Sequence, residues 1–253
     1  MNFATIRVRA GDGRRTITFA RKDRRNGFNS RMLEELGRAL QDCALDPSCR
    51  MVVLEGEGGY FSTGLDFEDA SKGGAPQSSQ GYVDVLRAIC TLPAFVVAHV
   101  DGEVRAGGLG FVAASDFAVA TARSTFALPE ALWGLVPACV GLYVERRIGP
   151  IATKRMCLTT ETLMAAKAFE LGLVDEISEK PEDVVRRLGL KVARLKSSTM
   201  GRIKRYFDEI AGISELQERR AMVETDRAMR DPEVQDAISN FVHHGKFPWG
   251  SSV

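Results

Sequence analysis

The chain has 253 residues, of which 45% are hydrophobic and 26% are charged, so disordered and fibrous classes are excluded and one or two globular domains are expected. Its 34 basic and 33 acidic side chains leave a net charge of +1, which gives no overall field to attract a nucleic acid. The N-terminus lacks the apolar segment of a leader, and no apolar run is long enough to cross a membrane. We therefore expect a soluble cytoplasmic protein with no nucleic-acid and no membrane partner.

The first predicted elements are two short strands, 3–8 and 16–19, on either side of a turn-forming Gly-Asp-Gly sequence. A helix is predicted next, because apolar side chains recur at helical spacing over residues 32–43. Asn29 or Ser30 can cap its start.

Strands and helices then alternate to about residue 180. The predicted strands are 51–54, 94–100 and 117–121, and the predicted helices are 83–90 and 106–115. A stretch rich in Gly, Ser and Pro, 71–81, is expected to be a mobile surface loop. This alternation predicts an α/β layered fold.

The composition changes after residue 179, where strand-like runs give way to charged amphipathic segments. Helices are predicted at 182–195 and 215–229, and a last helix begins at Asp231-Pro232, since proline is tolerated in a first turn. We thus divide the chain into an α/β core, residues 1–180, and a helical C-terminal region, residues 181–253. No linker separates them, so the helices belong either to the core or to a contact with a neighbouring subunit.

Two glycine-bearing segments each follow an apolar strand and are candidates for chemistry. They are FSTGLDF at 61–67 and VRAGGLGF at 104–111. Backbone N–H groups that converge on one point can stabilise the negative charge that develops on a carbonyl oxygen. The alternative is that these glycines only allow tight turns and close helix packing. A dinucleotide fingerprint is rejected, because Ala113 stands where its third glycine would fall.

The pattern of several segments resembles one known family. FSTGLDF, DGEVRAGGLGFVAASD and FALPEALWGLVPACVG follow one another in the order and spacing of the crotonase (enoyl-CoA hydratase/isomerase) superfamily. RRNGFNSRMLEEL and AAKAFELGLVDEI extend the likeness over nearly the whole chain. The resemblance implies a spiral core of ββα units with a helical C-terminal region that forms homotrimers or hexamers. It also implies thioester substrates on a phosphopantetheine arm, and no metal or redox cofactor.

The family's functional positions can be located one by one in this sequence. The resemblance assigns the two oxyanion-hole amides to Leu65 and Gly107. Of the two glutamates that hydratases of the family use, one matches Glu130 in Leu-Pro-Glu, whereas the other position holds Gly110. This departure argues against an ordinary two-glutamate hydratase.

Longer strings resemble one branch of the superfamily, the dehydratases of polyketide β-branching. These strings are GLGFVAASD, EALWGLVPACV, RRIG and GKFPW. The resemblance implies dehydration of a hydroxymethylglutaryl thioester on an acyl carrier protein to the 3-methylglutaconyl thioester. A methylglutaconyl decarboxylase, a CoA-dependent enoyl hydratase or isomerase, and a non-catalytic scaffold or RNA-binding relative stay as alternatives.

One glutamate can serve both halves of a dehydration. A carboxylate beside C2 can remove the C2 proton and return it to the leaving hydroxyl. Glu130 is the candidate, and its alternative is a helix-start glutamate after Pro129.

Four further residues are possible pocket residues. Asp66 is expected to stabilise its loop, Trp133 to line the acyl pocket and Cys139 to form part of its wall. Arg105 either meets the substrate's distal carboxylate or faces solvent. Five cysteines without a Cys-x-x-Cys pair predict neither a disulfide framework nor a zinc site.

Overall fold

The computed structural model describes residues 3–72 and 79–250. The strands are β1 (Ile6–Gly11), β2 (Arg14–Phe19), β3 (Met51–Gly56), β4 (Tyr60–Ser62), β5 (Phe95–Val100), β6 (Glu103–Arg105), β7 (Phe117–Ala120), β8 (Thr125–Ala127), β9 (Leu163–Met164) and β10 (Glu176–Ile177). The helices are α1 (Ser30–Leu45), α2 (Phe67–Lys72), α3 (Gln80–Thr91), α4 (Gly108–Ala114), α5 (Ala138–Ile148), α6 (Pro150–Thr159), α7 (Ala165–Glu170), α8 (Pro181–Val192), α9 (Ser197–Ala211), α10 (Glu215–Met229) and α11 (Pro232–His244). Two 3-10 turns complete the set, at Lys22–Arg24 and Glu130–Trp133.

The strands form two sheets, and from β3 to β8 successive strands alternate between them. The larger has the order β1-β2-β3-β5-β7-β10, parallel except for the β1–β2 hairpin, and the smaller has the order β4-β6-β8-β9. Of each consecutive pair β3–β4, β5–β6 and β7–β8, the first strand joins the large sheet and the second joins the small one. This repetition is a spiral of ββα units, which confirms the predicted fold class.

The apolar strands of the large sheet are covered on both faces. Val52 and Leu54 of β3 face the main core with α1 and α3, whereas Met51 and Val53 face a second cluster formed with α8. Because neither face of the strand is exposed to solvent, its sequence is a continuous run of apolar residues and does not alternate between apolar and polar residues.

The sequence located α1 well. Its buried face includes the apolar residues that the periodicity selected, and the Asn29 side chain accepts a hydrogen bond from Met32 N at 3.0 Å. The last helix likewise begins where it was predicted, with Asp231 accepting from Glu233 N at 2.9 Å. Both starts are local, since a capping side chain bonds to a backbone N–H two or three residues along the chain.

The four C-terminal helices pack against the first part of the chain. α8 covers the large sheet, α10 packs on α5, and α11 packs on α2. Lys204 on α9 donates to Ile89 O and Ala94 O, and its ammonium lies 2.6 Å from Asp116 Oδ2. The boundary at residue 180 stays a prediction.

Several of the predicted boundaries are wrong, and the first strand, predicted at 3–8, is Ile6–Gly11. Residues 73–78 of the predicted loop 71–81 lie outside the described residues, but 71–72 belong to α2 and 80–81 to α3. The helix predicted from residue 106 begins at Gly108, because Ala106 occupies the left-handed region with φ +49°. Within residues 3–72 and 79–250, no helix is long and apolar enough to cross a membrane.

Candidate active site

The residues singled out in the sequence meet at one cavity of about 700 Å³. They are Leu65, Asp66, Arg105, Gly107, Glu130, Trp133 and Cys139. The two glycine-bearing loops, the Glu130 turn, the first residues of α5 and parts of α10 and the C-terminal tail form its walls. Loop ends from distant parts of the chain therefore build a single site.

The two glycine-bearing loops touch each other. Gly64 has φ +88°, and a Cβ there would lie 2.8 Å from Ala106 Cβ and 3.1 Å from Gly107 N, so no side chain fits. In the part of the chain that the structure describes, neither the Leu65 nor the Gly107 N–H donates to a protein acceptor. Two free amides on one cavity are suited to stabilising a thioester oxygen as it becomes negative.

The Leu65 loop is held by a buried arginine that the sequence analysis did not identify. The Arg21 Nη2 atom lies 2.8 Å from Asp66 Oδ2 and 2.7 Å from Asp69 Oδ2, and the Arg21 side chain is only 13% exposed. Asp66 Oδ1 also accepts from Glu68 N at 3.1 Å. Asp66 therefore fixes the loop through backbone and ionic contacts, and no local motif indicated its partner 45 residues away.

We expect Asp66→Ala to destabilise the fold and to slow catalysis. The change removes the α2 cap and one partner of a buried guanidinium, which costs about 1–3 kcal/mol of unfolding free energy. Urea denaturation measures this loss. Asp183→Ala is the control, because its ion pair with Arg186 is exposed and is worth about 0–1 kcal/mol. Equal losses of unfolding free energy in the two variants would contradict the role of Asp66 in holding the loop.

Glu130 follows Pro129 and begins a 3-10 turn on the cavity wall. Its Oε2 atom is buried and has no hydrogen-bond partner among the described residues. Burial raises the pKa of Glu130 to about 8, against a smaller opposing effect of its own backbone N–H. A carboxyl group with such a pKa and one oxygen that no described residue hydrogen-bonds is suited to accept and return a proton near neutral pH.

The space beside Gly110 is filled by Tyr82. A Cβ at Gly110 would lie 2.0 Å from the Tyr82 hydroxyl oxygen, and that hydroxyl donates to Gly107 O at 2.6 Å. The Tyr82 ring stacks on Phe28 with centroids 5.0 Å apart. A second carboxylate therefore has no room at position 110. The sequence analysis missed Tyr82, which precedes the predicted helix 83–90.

Aromatic side chains from the end of the chain close one side of the cavity. The Trp133 ring lies 4.9–6.1 Å from four other rings, those of Phe67, Phe241, Phe247 and Trp249. Trp133 thus lines the cavity at its contact with the C-terminal tail. The sequence analysis identified the GKFPW string as part of the family resemblance, but its spacing did not show that it lies beside the cavity.

Cys139 and Arg105 occupy different parts of the cavity. Cys139 is buried, and burial raises the pKa of its thiol, so it remains protonated and a poor nucleophile. The Arg105 guanidinium is 41% exposed and donates to Glu103 at 2.8 Å. Among the described residues, no group of three His, Cys, Asp or Glu side chains is placed to hold a metal ion.

Residues 11–252 match the model of a family described as enoyl-CoA hydratase/isomerase. The bacillaene synthase dehydratase PksH of Bacillus subtilis is 32% identical, over 98% of this chain and 98% of its own. The crystal structure of a putative polyketide biosynthesis enoyl-CoA hydratase from Bacillus subtilis superposes with a TM-score of 0.93 and 31% identity, covering 98% of this chain and all of the other. A 4-chlorobenzoyl coenzyme A dehalogenase of Arthrobacter is 29% identical over 94% of this chain and 86% of its own.

Proposed function

This chain belongs to the enoyl-CoA hydratase/isomerase family, and we propose that it dehydrates a 3-hydroxy-3-methylglutaryl thioester on an acyl carrier protein to the 3-methylglutaconyl thioester in polyketide β-branching. The similarity to a bacillaene synthase dehydratase over nearly the full length supports a dehydratase. The observation that carries the proposal is the Glu130 carboxyl, whose Oε2 atom has no hydrogen-bond partner among the described residues, on a cavity that also holds the Leu65 and Gly107 amides.

The residues can divide the reaction as follows. The thioester oxygen accepts hydrogen bonds from the Leu65 and Gly107 amides, which stabilise the enolate that forms. Glu130 takes the proton from C2. The C3–O bond then breaks, and the same carboxyl returns the proton to the departing hydroxyl, which leaves as water. The products are water and the unsaturated thioester, so no redox group or metal is needed for the balance.

A tethered substrate is consistent with the exposed part of the cavity. Arg24, Arg25 and Arg105 line it with partly or fully exposed side chains, where the phosphate of a phosphopantetheine arm would pass. Arg24 and Arg105 also pair with Glu68 and Glu103. We propose the acyl carrier protein, and alternatively CoA, as the carrier of the acyl group.

Mass spectrometry of the carrier protein loaded with 3-hydroxy-3-methylglutaryl thioester tests the function. We expect the acyl group to lose the mass of one water when the enzyme is added. Loss of carbon dioxide from a supplied methylglutaconyl thioester would instead identify a decarboxylase. Reaction of the CoA thioester alone would identify a CoA-dependent enzyme, and no reaction with any acyl thioester would support a scaffold.

The rate should depend on the ionisation of Glu130. Because the base must be deprotonated and its pKa is about 8, kcat/KM at limiting substrate is expected to rise with pH, to reach half of its maximum near pH 8 and to level off above it. The same shift in pKa affects stability. Between pH 4.5, the ordinary pKa of a glutamate, and about pH 8, Glu130 is protonated in the folded protein but ionised in the unfolded chain. Stability should therefore fall with rising pH across this window, and less so in Glu130→Gln. A flat activity profile from about pH 6 to about pH 9 would contradict the assignment of the base.

We propose a homotrimer or a dimer of trimers. Helix α9 exposes apolar side chains at helical spacing, Ile203, Tyr206, Phe207 and Ile210, each between 49% and 63% exposed. A stripe of this kind is typical of a face that another subunit covers. Light scattering at micromolar concentration should give three or six times the mass of one chain, and a monomer would contradict the proposal.

A further inference from the structure

Two buried side-chain oxygen atoms in the described ranges have no nitrogen or oxygen hydrogen-bond partner, and both belong to residues of the same cavity. One is Glu130 Oε2 and the other is Ser79 Oγ. Ser79 is only 8% exposed. A buried polar atom without a hydrogen-bond partner costs stability. Two such atoms in different walls of one cavity therefore point to a ligand with two polar regions.

The Ser79 hydroxyl belongs to a group of neutral donors. Its neighbour is the Cys139 thiol, a weak hydrogen-bonding group, and this contact lowers the pKa of the thiol against the larger opposite effect of burial. The thiol also lies 3.3 Å from Thr225 Oγ1. All three residues line the cavity. We call Ser79, Cys139 and Thr225 the polar end of the cavity.

Two helices begin at this polar end. Ser79 precedes the first residue of α3, a helix of 12 residues, and its side chain does not cap that helix. Cys139 is the second residue of α5, a helix of 11 residues. The first turns of helices carry partial positive charge, which favours an anionic oxygen over an alkyl group.

We infer that the polar end of the cavity binds the terminal carboxylate of the acyl group, and that it selects a dicarboxylic acyl thioester over a simple alkyl one. The inference rests on the proposed function for the identity of the acyl group. The Ser79 and Thr225 hydroxyls and the protonated Cys139 thiol donate to the carboxylate oxygens. Glu130 and the two amides then meet the thioester half of the same molecule.

Two carboxylates lie near the polar end, and each is engaged by another group of the protein. Asp226 Oδ1 accepts from Ser79 N at 3.3 Å, so this carboxylate is engaged with the backbone of the α3 start. Buried Glu218 is neutralised by Arg87 and also accepts from Tyr143 at 3.0 Å. Arg105, the cation nearest in sequence to Gly107, is paired with Glu103 at an exposed position and is not required. Neutral donors and helix starts therefore recognise the acyl carboxylate without a buried cation.

Binding of two unreactive thioesters tests the inference without requiring turnover. Glutaryl-pantetheine carries the terminal carboxylate, and butyryl-pantetheine lacks only that group. Calorimetry should show glutaryl-pantetheine binding at least about tenfold more tightly to the wild type, the factor expected for a hydrogen bond to a charged group. Ser79→Ala and Thr225→Val should each reduce this ratio and leave the affinity for butyryl-pantetheine unchanged.

Stability separates a binding role from a structural one. Ser79→Ala removes an unpartnered hydroxyl, so its melting temperature should equal or exceed that of the wild type. Ser115→Ala is the matched control: its buried hydroxyl donates to Phe111 O at 2.8 Å outside the cavity, so the melting temperature should fall while the glutaryl preference stays.

The outcomes distinguish this inference from the proposed function. Equal binding of the two thioesters by the wild type, or an equal loss of both in Ser79→Ala, would overturn the inference. A clear glutaryl preference that Ser79→Ala abolishes would support it, even if the carrier-bound hydroxymethylglutaryl thioester were not dehydrated. That last result would overturn the proposed function alone.

Discussion

Glu130→Gln is expected to reduce dehydration by about 10²–10⁴-fold, the range for loss of a positioned acid or base. The upper end is expected, because one carboxyl would carry both proton transfers. The amide keeps the size of the carboxyl group but cannot accept the C2 proton. Since Glu130 Oε2 has no hydrogen-bond partner among the described residues, the fold should be little affected.

Deuterium exchange at C2 of the substrate sharpens this test. Exchange reports removal of the C2 proton even when the hydroxyl does not leave. If Glu130 is the base, Glu130→Gln should lose exchange and elimination together, with unchanged substrate affinity and a melting temperature that is not lower than that of the wild type. Exchange at the wild-type rate would limit Glu130 to acid catalysis. Asp66 would then be tested next, although its carboxylate is already engaged by Arg21.

Gly110→Glu is expected to destabilise the protein by about 3 kcal/mol or more instead of creating a two-glutamate site. The new Cβ would lie 2.0 Å from the Tyr82 hydroxyl oxygen and 3.1 Å from Leu86 Cδ1, in a helix whose residues are all buried. Tyr82 would have to move, and its hydrogen bond to Gly107 O beside the proposed oxyanion amide would be lost. Thermal denaturation and the dehydration assay measure the two effects.

Gly37→Glu provides the matched control on α1. Nothing lies within 4 Å of a Cβ at Gly37, so the same substitution should be neutral or stabilising, by up to about 1 kcal/mol for a helix glycine. Adding Tyr82→Phe to Gly110→Glu removes the nearest atom, so the double variant should regain part of the lost stability. If Gly110→Glu were as stable as the wild type, the steric account of position 110 would be wrong.

Features that depend on residues close together in the chain were predictable from the sequence alone. The apolar periodicity and Asn29 located α1, and Asp231-Pro232 located the start of α11, because caps and helix faces are set within a few residues. The alternation of strands and helices predicted an α/β fold, and the resemblance of the ordered motifs to a known family implied the ββα spiral. The same motifs also selected Leu65, Gly107 and Glu130, three residues that the structure brings to one cavity; their catalytic roles stay predictions.

The side chains that surround those positions could not be predicted, because they come from parts of the chain that meet only in the folded protein. Arg21 reaches Asp66 across 45 residues, Tyr82 fills the space beside Gly110, and Ser79 shares a cavity with Glu130. No period or motif encodes these contacts, because each depends on how loops from separate ββα units meet after the sheets have formed. The left-handed backbone conformation of Ala106 was also not predictable from the sequence. Alanine disfavours this conformation, and the surrounding fold imposes it.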